Sequence, residues 1–560
     1  MLSDEQIKAI VTNAKLVAPE QLADVESYSR TAGHSLQDSL VEKEMTTDEA
    51  LGKFIADSLK VPFVVLSKLQ IPQDIFTLVP QRVARKYKMI AFQRSDKGIS
   101  IALVDPTKLD EVAMIERKTG QKVAVYYATP RDIENELRLY KRDIQRTIDV
   151  LIKEDMGGDG LNDPPVAKIV DTLIEFAYED RASDIHMEPQ EKDAIVRFRI
   201  DGVLQDVLSI TNYLHDRMVT RIKVLSSLRT DEHLSAQDGK LQIPLADEDL
   251  DVRVSIVPVV TGEKIVMRLL SSRSRQYSLA DLGMNEKDLA KVTNAYGHSF
   301  GMILSTGPTG SGKTTSIYAM LKTLNERERN ITTIEDPVEY RIKGANQIQV
   351  NVKTNLTFAN GLRSILRQDP NIIFVGEIRD GETAGIAVNA ALTGHLVFST
   401  LHTNDAATTI PRLIDMKVEP FLVASTVNII IAQRLVRRIC NMCRLSTTIT
   451  EDELLKYLPT NVIAKHYIPI GEKKEIRIYH GKGCKSCNFT GYTGRLGLFE
   501  VLEVTKPIRE LIIAHAGADA IADMAIKEGM TTMLDDGLQK VAQGVTTIEE
   551  ILRVTKTEFV

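Results

Sequence analysis

One stretch of the sequence has glycines, a lysine and a threonine at the spacing needed to hold a chain of phosphate groups. Residues 307–314 read Gly-Pro-Thr-Gly-Ser-Gly-Lys-Thr. The glycines allow backbone N–H groups to turn inward around an anion. Lys313 can reach the β- and γ-phosphates of a nucleotide, and Thr314 can ligate Mg²⁺. The candidate nucleotide ligands are Gly307, Pro308, Thr309, Gly310, Ser311, Gly312, Lys313, Thr314 and Thr315.

The residues on either side of this stretch predict the elements that would position it. Apolar residues 302–304 precede it as a buried strand should, and residues 316–321 have a pattern compatible with a helix. A helix that begins at the loop directs its positive end towards an anion. Strand, loop and helix together match the phosphate-binding loop of P-loop NTPases, and a plain glycine-rich turn is the weaker interpretation.

Two further apolar runs are followed by acidic side chains. Residues 332–339 include Glu335, Asp336 and Glu339, and the run at residues 371–375 leads to Glu377. Ligands of open α/β sheets bind at the carboxyl ends of the strands. A carboxylate there can hold Mg²⁺ through water or take a proton from an attacking water. Each segment alone would be a strand that ends in solvated acids, but the phosphate loop favours the functional interpretation.

A third predicted strand carries a histidine at each end. His395 precedes the apolar residues 396–398, and His402 follows Ser399-Thr400-Leu401. A single histidine is usually structural. Two histidines that flank one strand near a phosphate site could recognise a γ-phosphate by hydrogen bonding.

The four cysteines form two C-x-x-C pairs. Cys440 pairs with Cys443 and Cys484 with Cys487, with residues 444–483 between the pairs. Four thiolates at this spacing predict a tetrahedral Zn²⁺ site, which is structural because it leaves no open position. Buried unreactive thiols are the less favoured alternative.

The composition is that of a globular chain with several domains. Its 560 residues suggest roughly three to five domains. The net charge of −6 indicates no general attraction to nucleic acid. No apolar run approaches the ~18 residues of a membrane helix, and the first five residues lack the features of a signal peptide. We therefore expect a cytoplasmic protein that binds no nucleic acid.

The order of apolar patterns predicts a multidomain α/β chain. Predicted strands at residues 61–66 and 99–106 and a charged helix at 132–153 indicate a small first domain. A helix from Pro165 and strands at 195–200, 250–257 and 264–270 indicate an α+β domain with an antiparallel sheet. The predicted divisions are 1–140 (N-terminal domain), 141–165 (helix and the linker at 157–165), 166–275 (α+β domain), 283–435 (nucleotide domain), 436–497 (four-cysteine insertion) and 498–560 (helical C-terminal region).

Together these motifs resemble the secretion-ATPase superfamily, and within it the type II secretion and type IV pilus assembly ATPases. The phosphate loop, an acidic box at 335–339, a Walker B variant that ends at Glu377 and a histidine box at 395–402 follow the family order. The resemblance implies a RecA-like ATPase core after a PAS-like second domain. It also implies a homohexamer that hydrolyses ATP with Mg²⁺ to extend type IV pili at the cytoplasmic face of the inner membrane. The implied partner is an inner-membrane platform protein, and a cytoplasmic anchor protein of the pilus machine is a further candidate.

The resemblance further implies roles for the acids and one histidine. Glu377 would be the general base. Glu335, Asp336 and Glu339 would arrange Mg²⁺ and water, and His402 would lie nearest the γ-phosphate. His395 is included in the candidate catalytic set as a member of the histidine box.

Arginines of the second domain are expected to close onto the phosphates as arginine fingers. Arg197 and Arg221 are the first choices, followed by Arg199 and Arg217. The alternative for each is a solvated surface charge.

The four-cysteine module resembles that of pilus assembly and type II secretion ATPases, and retraction ATPases lack it.

The N-terminal domain resembles domains that bind cyclic di-GMP. Its apolar frame is kept at residues such as Leu36 and Leu40. The positions aligned with the polar contacts of those domains differ, and they are Ser29, Ser35, Gln37, Glu44 and Ser58. We therefore predict that the fold is kept, that the dinucleotide site is degenerate, and that the domain serves docking.

Other functions are less favoured or stay open. A type II secretion motor that builds a pseudopilus is not distinguished from a pilus motor by the sequence. A DNA-translocating ring would need a basic stripe or pore, and the balanced charge argues against it. A non-catalytic scaffold is disfavoured because Lys313, Thr314 and Glu377 are all present.

Overall fold

The computed structural model describes most of the chain. The described residues are 3–14, 16–32, 35–43, 45–69, 71–76, 78–95, 98–106, 109–137, 144–155, 165–245, 248–271, 277–455 and 475–555. They belong to two compact units, which we describe separately. The first comprises Met1–Asp143, Arg437–Gly494 and Gln539–Ile548, and the second comprises Ile144–Val436, Arg495–Leu538 and Glu549–Val560.

Helices and strands alternate along much of the chain. The helices are α1 (Asp4–Asn13), α2 (Pro19–Ala32), α3 (Leu36–Glu42), α4 (Asp48–Leu59), α5 (Gln73–Phe76), α6 (Gln81–Tyr87), α7 (Leu109–Thr119), α8 (Pro130–Glu136), α9 (Ile144–Asp155), α10 (Val166–Glu179), α11 (Asn212–Leu225), α12 (Glu286–Tyr296), α13 (Lys313–Leu324), α14 (Phe358–Ile365), α15 (Gly381–Leu392), α16 (Thr409–Asp415), α17 (Pro420–Thr426) and α18 (Glu451–Leu454), followed by Lys506–Ile513, Ala518–Lys527, Met533–Ala542 and Ile548–Thr555. The strands are β1 (Met89–Ser95), β2 (Gly98–Leu103), β3 (Val123–Tyr127), β4 (Asp184–Pro189), β5 (Asp193–Ile200), β6 (Val203–Thr211), β7 (Gln237–Pro244), β8 (Asp249–Val259), β9 (Gly262–Leu270), β10 (Gly301–Thr306), β11 (Ile331–Glu335), β12 (Asn346–Gln349), β13 (Ile372–Val375), β14 (Leu396–Leu401), β15 (Val427–Ile439), β16 (Arg444–Thr450), β17 (Glu475–Gly481) and β18 (Tyr492–Glu503). Within the described residues, no helix is long and apolar enough to cross a membrane.

The N-terminal part of the first unit has two small cores. Helices α1 to α4 pack around apolar side chains such as Leu40 and Leu51. Strands β1, β2 and β3 form a three-stranded sheet that packs with α5 to α8. The strand predicted at residues 99–106 is confirmed as β2.

The strand predicted at residues 61–66 is wrong. In this segment Phe63 makes only an isolated bridge to Tyr127, and residues 66–68 form a 3₁₀ turn. The chain turns there because the carboxylate of Asp132 accepts backbone hydrogen bonds from Leu66 and from Ser67, the second at 3.1 Å. A carboxylate that binds consecutive N–H groups stabilises a turn rather than a strand ladder.

The four-cysteine insertion packs with the N-terminal helices in the first unit. Strands β16 and β17 pair antiparallel, and Arg444 at the start of β16 donates to the carboxylate of Glu42 at 2.7 Å. The Ser446 hydroxyl donates to the Glu42 carbonyl oxygen at 2.9 Å. The N-terminal domain predicted from the sequence is therefore joined to the insertion by a buried ion pair. Residues 456–474 of the predicted insertion lie outside the described residues.

The predicted helix at residues 132–153 falls on two helices, α8 and α9. The residues between them, 138–143, lie outside the described residues, and so does the predicted linker from 157 to 164. Helix α9 packs its apolar side on the core of the second domain, where Ile148 is fully buried. The apolar side chains of this otherwise charged helix therefore pack on the core of the second unit.

The second domain has the antiparallel sheet that the sequence predicts. Six strands lie in the order β6-β5-β4-β9-β8-β7, and their assigned pairings are antiparallel. Helices α10 and α11 cover the face formed by residues such as Val196, Val254 and Met267. Because side chains alternate along a strand, the opposite face carries charged residues of β4, β5, β8 and β9.

The nucleotide domain is built on a seven-stranded sheet with the order β12-β11-β13-β14-β10-β15-β18. Strands β10, β11, β13 and β14 pair in parallel, so their carboxyl ends share one edge. These interior strands are buried along their whole length, which explains their continuous apolar runs. The seventh strand, β18, comes from residues 492–503. The sheet thus extends past the predicted division at 435, and the predicted helical region after 497 begins with a strand.

Candidate functional site

The phosphate loop joins strand β10 to helix α13, as the sequence predicts. Gly307 has φ 140°, and a Cβ atom there would lie 2.4 Å from the carbonyl oxygen of Gln433. Gly312 has φ 92° and caps α13 without a side-chain hydrogen bond. The first backbone N–H groups of the helix are therefore not covered by a capping side chain. A helix N-terminus of this kind binds anions, and the loop residues fit a nucleotide phosphate.

Lys313 is the first residue of α13 and its side chain is buried in the loop. Its Nζ atom donates to the carbonyl oxygens of Gly307 and Pro308 at 2.7 and 3.2 Å. Burial lowers the pKa of Lys313, and the negative charge of Glu377 opposes this effect. The lysine charge is thus held next to the loop and within electrostatic reach of Glu377.

Glu377 follows β13 at the edge of the sheet where the strands end. Arg379 donates to Glu377 Oε1, and His402 Nε2 lies 3.2 Å from Glu377 Oε2. Burial raises the pKa of Glu377, but the hydrogen bonds and charges of Arg379 and His402 outweigh it and lower the pKa overall. The carboxylate is therefore ionised and oriented by two neighbours. Sequence reasoning did not single out Arg379.

The structure separates the two candidate histidines. His402 follows β14 at the same edge as Glu377, whereas His395 precedes the strand at the opposite edge. A strand of six residues puts them roughly 20 Å apart. The ring of His395 contacts the carbonyl oxygen of Ala390 at 3.0 Å and belongs to the turn after α15. His395 therefore lies away from Glu377 within this chain, and a catalytic role for it stays a prediction.

Glu335 lies in a buried hydrogen-bond network at the end of β11. Its side chain is buried, and it accepts hydrogen bonds from the hydroxyl groups of Tyr318 and Thr333 and from the amide of Gln347. Burial raises the pKa of Glu335 and the hydrogen bonds lower it only in part. Internal donors thus contact both oxygens of Glu335 in this chain, and its role in arranging Mg²⁺ stays a prediction. Asp336 and Glu339, which follow it, remain candidates for that role.

The second domain meets the acidic segment through Arg253. This arginine of β8 lies 3.1 Å from the carboxylate of Glu339 and also donates to the carbonyl oxygen of Val338. Sequence reasoning missed Arg253. The alternation of buried Val252 and Val254 around it was the available signal, because it places Arg253 on the charged face of the sheet.

The predicted arginines make other contacts within this chain. Arg197 pairs with Glu188 on the neighbouring strand β4, and Arg199 lies 3.4 Å from Asp184. Arg221 lies on α11, and its Nε atom is buried without a hydrogen-bond partner among the described residues. Arg217 is exposed on the same helix. The structure thus brings Arg253 to the acidic segment and holds Arg197 and Arg199 by acids of their own sheet.

The four cysteines of the insertion converge as predicted. The Sγ atoms of Cys440, Cys443, Cys484 and Cys487 all lie within 4.8 Å of one another. Three of the Sγ–Sγ distances are 3.8 to 3.9 Å. A tetrahedral Zn²⁺ with Zn–S bonds of about 2.3 Å requires sulfur separations of about 3.8 Å. The residues therefore fit a zinc ion.

Backbone N–H groups surround the sulfur atoms. Gly483 donates to the sulfur of Cys443 at 3.3 Å, and Cys484 and Gly491 each donate to the sulfur of Cys487 at 3.2 Å. Such outer hydrogen bonds stabilise thiolates and orient metal ligands. Because the four thiolates fill the coordination sphere, the site is suited to a structural rather than a catalytic metal.

Comparison with known proteins agrees with this geometry. The family described as "Type II/IV secretion system protein" matches residues 159–553, and the family described as "MshEN domain" matches residues 59–147. The five positions aligned above with the polar contacts of a cyclic di-GMP site lie between residues 29 and 58. They therefore precede the segment that the MshEN family matches.

Two relatives and one solved structure show the similarity in detail. The chain is 37% identical over 559 residues to the type IV pilus assembly ATPase PilB of Myxococcus xanthus, with 97% of each chain covered. It is 39% identical over 507 residues to the type II secretion system protein E of Dickeya dadantii, which covers 87% of this chain and 98% of that protein. The structure of the ATPase DotB of Legionella pneumophila matches with a TM-score of 0.52 and 21% identity, over 72% of this chain and 98% of that one. The last match shows the fold alone.

Proposed function

Because the chain belongs to the type II/IV secretion system protein family, an ATPase family, we propose that it is a hexameric motor that drives type IV pilus assembly. The observation that carries this choice is the similarity to the Myxococcus xanthus protein, which extends over nearly the whole of both chains. It includes the N-terminal domain as well as the nucleotide domain. The motor would act at the cytoplasmic face of the inner membrane, on a pilus platform protein, with a cytoplasmic anchor protein as a further partner.

The phosphate loop would hold the nucleotide. Backbone N–H groups of residues 307–315 would bind the phosphates, Lys313 would neutralise their charge, and Thr314 would ligate Mg²⁺. Mg²⁺ held there would supply positive charge that offsets the charge of the phosphates. To reach the phosphates, Lys313 must exchange its bonds to the loop carbonyl oxygens for bonds to phosphate oxygens.

Glu377 would orient the attacking water and accept its proton. Its contact with His402 keeps the carboxylate at the edge where the strands end, close to the γ-phosphate position that His402 would recognise. Arg379 makes Glu377 a weaker base in this arrangement, because it stabilises the charged form. A shift of Arg379 away from Glu377, towards phosphate, would restore basicity.

Arg253 is our candidate for a charge from the second domain that stabilises the transition state. It already bridges to the acidic segment through Glu339. Arg197 and Arg221 remain predictions for a nucleotide site, and within this chain Arg197 is engaged by Glu188.

The N-terminal domain would dock the motor to its partner, with a degenerate cyclic di-GMP site. Of the positions on which this rests, Ser29, Ser35, Gln37 and Ser58 are described, and Glu44 is not. Gln37 donates to the hydroxyl of Tyr127 at 3.3 Å and is buried in the domain. The four-cysteine module would bind Zn²⁺ as a structural ion.

A type II secretion motor is the second candidate function. The Dickeya dadantii relative is slightly more identical to this chain than the pilus relative, although over a shorter alignment. The same nucleotide chemistry would serve either fibre.

Deletion of the gene and complementation would test the proposal. Cells without the chain should lose surface pili, the wild-type chain should restore them, and a Glu377→Gln chain should not. The purified wild-type protein should elute as a hexamer with nucleotide and hydrolyse ATP. Normal pili together with loss of secreted enzymes from the medium would instead assign the chain to type II secretion.

A further inference from the structure

A buried hydrogen-bond network joins the phosphate-loop helix α13 to the end of strand β11. The Tyr318 hydroxyl donates to Glu335 Oε2. The Thr333 hydroxyl donates to Glu335 Oε1 at 2.6 Å, and Gln347 Nε2 lies 3.3 Å from the same oxygen. Tyr318 and Glu335 are each only 2% exposed. A buried carboxylate is costly unless it is well hydrogen-bonded, so the tyrosine hydroxyl is a major part of what holds Glu335 in place.

The network lies between the two groups of residues assigned to the nucleotide site. Tyr318 follows Thr314 by four residues and so projects from the same face of α13. Glu335 directly precedes Asp336 and is four residues before Glu339. Glu339 in turn pairs with Arg253 of the second domain. A shift of Glu335 relative to α13 would therefore change the distance between Thr314 and the acidic segment.

The aromatic ring of Tyr318 is held independently of its hydroxyl. It packs edge-on against Tyr340 and Phe374, with ring centroids 4.5 and 6.1 Å away. The amide of Gln347 also donates to the carbonyl oxygen of Tyr340 at 3.1 Å. Removal of the hydroxyl alone should therefore keep the ring in place and release the carboxylate, which separates the positioning role from simple core packing.

We propose that Tyr318 and Glu335 form a positioning pair that sets the distance between Thr314 and the acidic segment and thereby the geometry in which the chain would hold Mg²⁺. Glu335 acts through Asp336 and Glu339 and does not itself contact metal or nucleotide. The inference rests on ATP hydrolysis at the phosphate loop and is independent of which fibre the motor builds.

Three variants and one control test the pair in the full-length chain. The variants are Tyr318→Phe, Glu335→Gln and the double variant. The control is Tyr296→Phe, which removes a tyrosine hydroxyl from the same domain at the surface, where it lies 3.3 Å from Thr293. The measurements are kcat, the Mg²⁺ concentration at half-maximal rate, the affinity for ADP without Mg²⁺, and the Mg²⁺-dependent rise in melting temperature at fixed ADP. The last two need no turnover.

Each single variant should lower kcat by about 10- to 100-fold, because small displacements of positioned groups have effects of this size. Each should also raise the Mg²⁺ requirement several-fold and reduce the Mg²⁺-dependent rise in melting temperature. Affinity for ADP without Mg²⁺ should stay unchanged. The double variant should be no worse than the poorer single variant, because the two residues act as one unit. Tyr296→Phe should behave as the wild type.

Three results would overturn the inference. If Glu335→Gln abolishes turnover while Tyr318→Phe resembles the wild type, Glu335 contacts the reacting groups directly. If both variants lower the melting temperature but keep the wild-type Mg²⁺ requirement, the pair is merely structural. Losses that add in the double variant would show two independent residues. Absence of ATP hydrolysis by the wild type would instead refute the proposed function.

Discussion

Replacement of Glu42 by alanine should loosen the contact between the N-terminal helices and the four-cysteine insertion. The Glu42 side chain is 1% exposed and lies 2.7 Å from Arg444, which is 3% exposed. It also lies 3.7 Å from the guanidinium of Arg131. Without this carboxylate, Arg444 stays buried without its counter-charge. Loss of one partner of a buried ion pair typically costs about 3–5 kcal/mol.

Amide hydrogen exchange of the full-length chain measures this effect locally. A cost of this size predicts that helix α3 and strand β16 exchange faster by roughly two to four orders of magnitude, if they open through this contact. Glu49→Ala is the matched control in the same domain. Glu49 pairs with Lys68 at 2.7 Å, but their side chains are 54% and 64% exposed. An exposed pair of this kind contributes only about 0–1 kcal/mol.

Equal protection of α3 and β16 in the Glu42→Ala and Glu49→Ala chains would refute the reasoning. A second variant checks the physical cause. Adding Arg444→Met to Glu42→Ala should restore part of the protection, because a packed apolar side chain leaves no buried charge. If the double variant is less protected than Glu42→Ala, the arginine stabilises the contact through its other partners, among them the carbonyl oxygen of Gly544 at 3.0 Å.

The site and the metal centre lead to three further expectations. Glu377→Gln should bind nucleotide and hydrolyse it about 10²–10⁴-fold more slowly, whereas Glu382→Gln, at an exposed ion pair, should turn over normally. The pKa of Glu377 lies below the ordinary value of 4.5, so its carboxylate stays ionised as the pH falls to 4.5. The loss of kcat on the acid side should therefore occur at a pH below that value. Elemental analysis should find one Zn²⁺ per chain. Cys484→Ser should lose the ion and unfold the insertion, since metal binding supplies folding energy there. A folded, metal-free wild type would contradict this. Arg253→Ala should lower kcat far more than it lowers nucleotide affinity. A stronger effect of Arg197→Ala would instead support Arg197, the arginine expected from the sequence.

Local patterns were sufficient to predict the phosphate loop with its strand and helix, but not the full extent of the nucleotide-domain sheet. The glycines of the loop at 307–314 permit positive φ angles. The apolar residues before the loop have the pattern of a buried strand, and those after it have the pattern of a helix. In the second domain, the alternation of apolar and polar residues at 250–257 predicted a strand of an antiparallel sheet, because successive side chains point to opposite faces. The two C-x-x-C pairs predicted convergence of four thiolates, because together they supply the four sulfur ligands of a tetrahedral ion.

Long-range contacts decided the roles of individual side chains. Glu335 and Glu377 both follow apolar runs, yet one is enclosed by Tyr318 and Thr333 and the other lies at the edge of the sheet next to His402. His395 and His402 belong to one short motif, but the direction of β14 places them at opposite edges. A sequence pattern gives the face and the end of an element, whereas the partner that a side chain meets depends on how distant elements pack.

The chemistry of this protein, phosphate binding and a zinc-type thiolate cluster, was thus determined by the sequence itself, because residue types and short spacings specify which atoms can bind phosphate or metal. Tertiary structure alone decided that Arg253 meets Glu339 and that Glu42 is buried against Arg444, 402 positions along the chain. The physical reason is that charge pairing depends on distance and burial, and both are set by the packing of strands and helices that lie far apart in the chain.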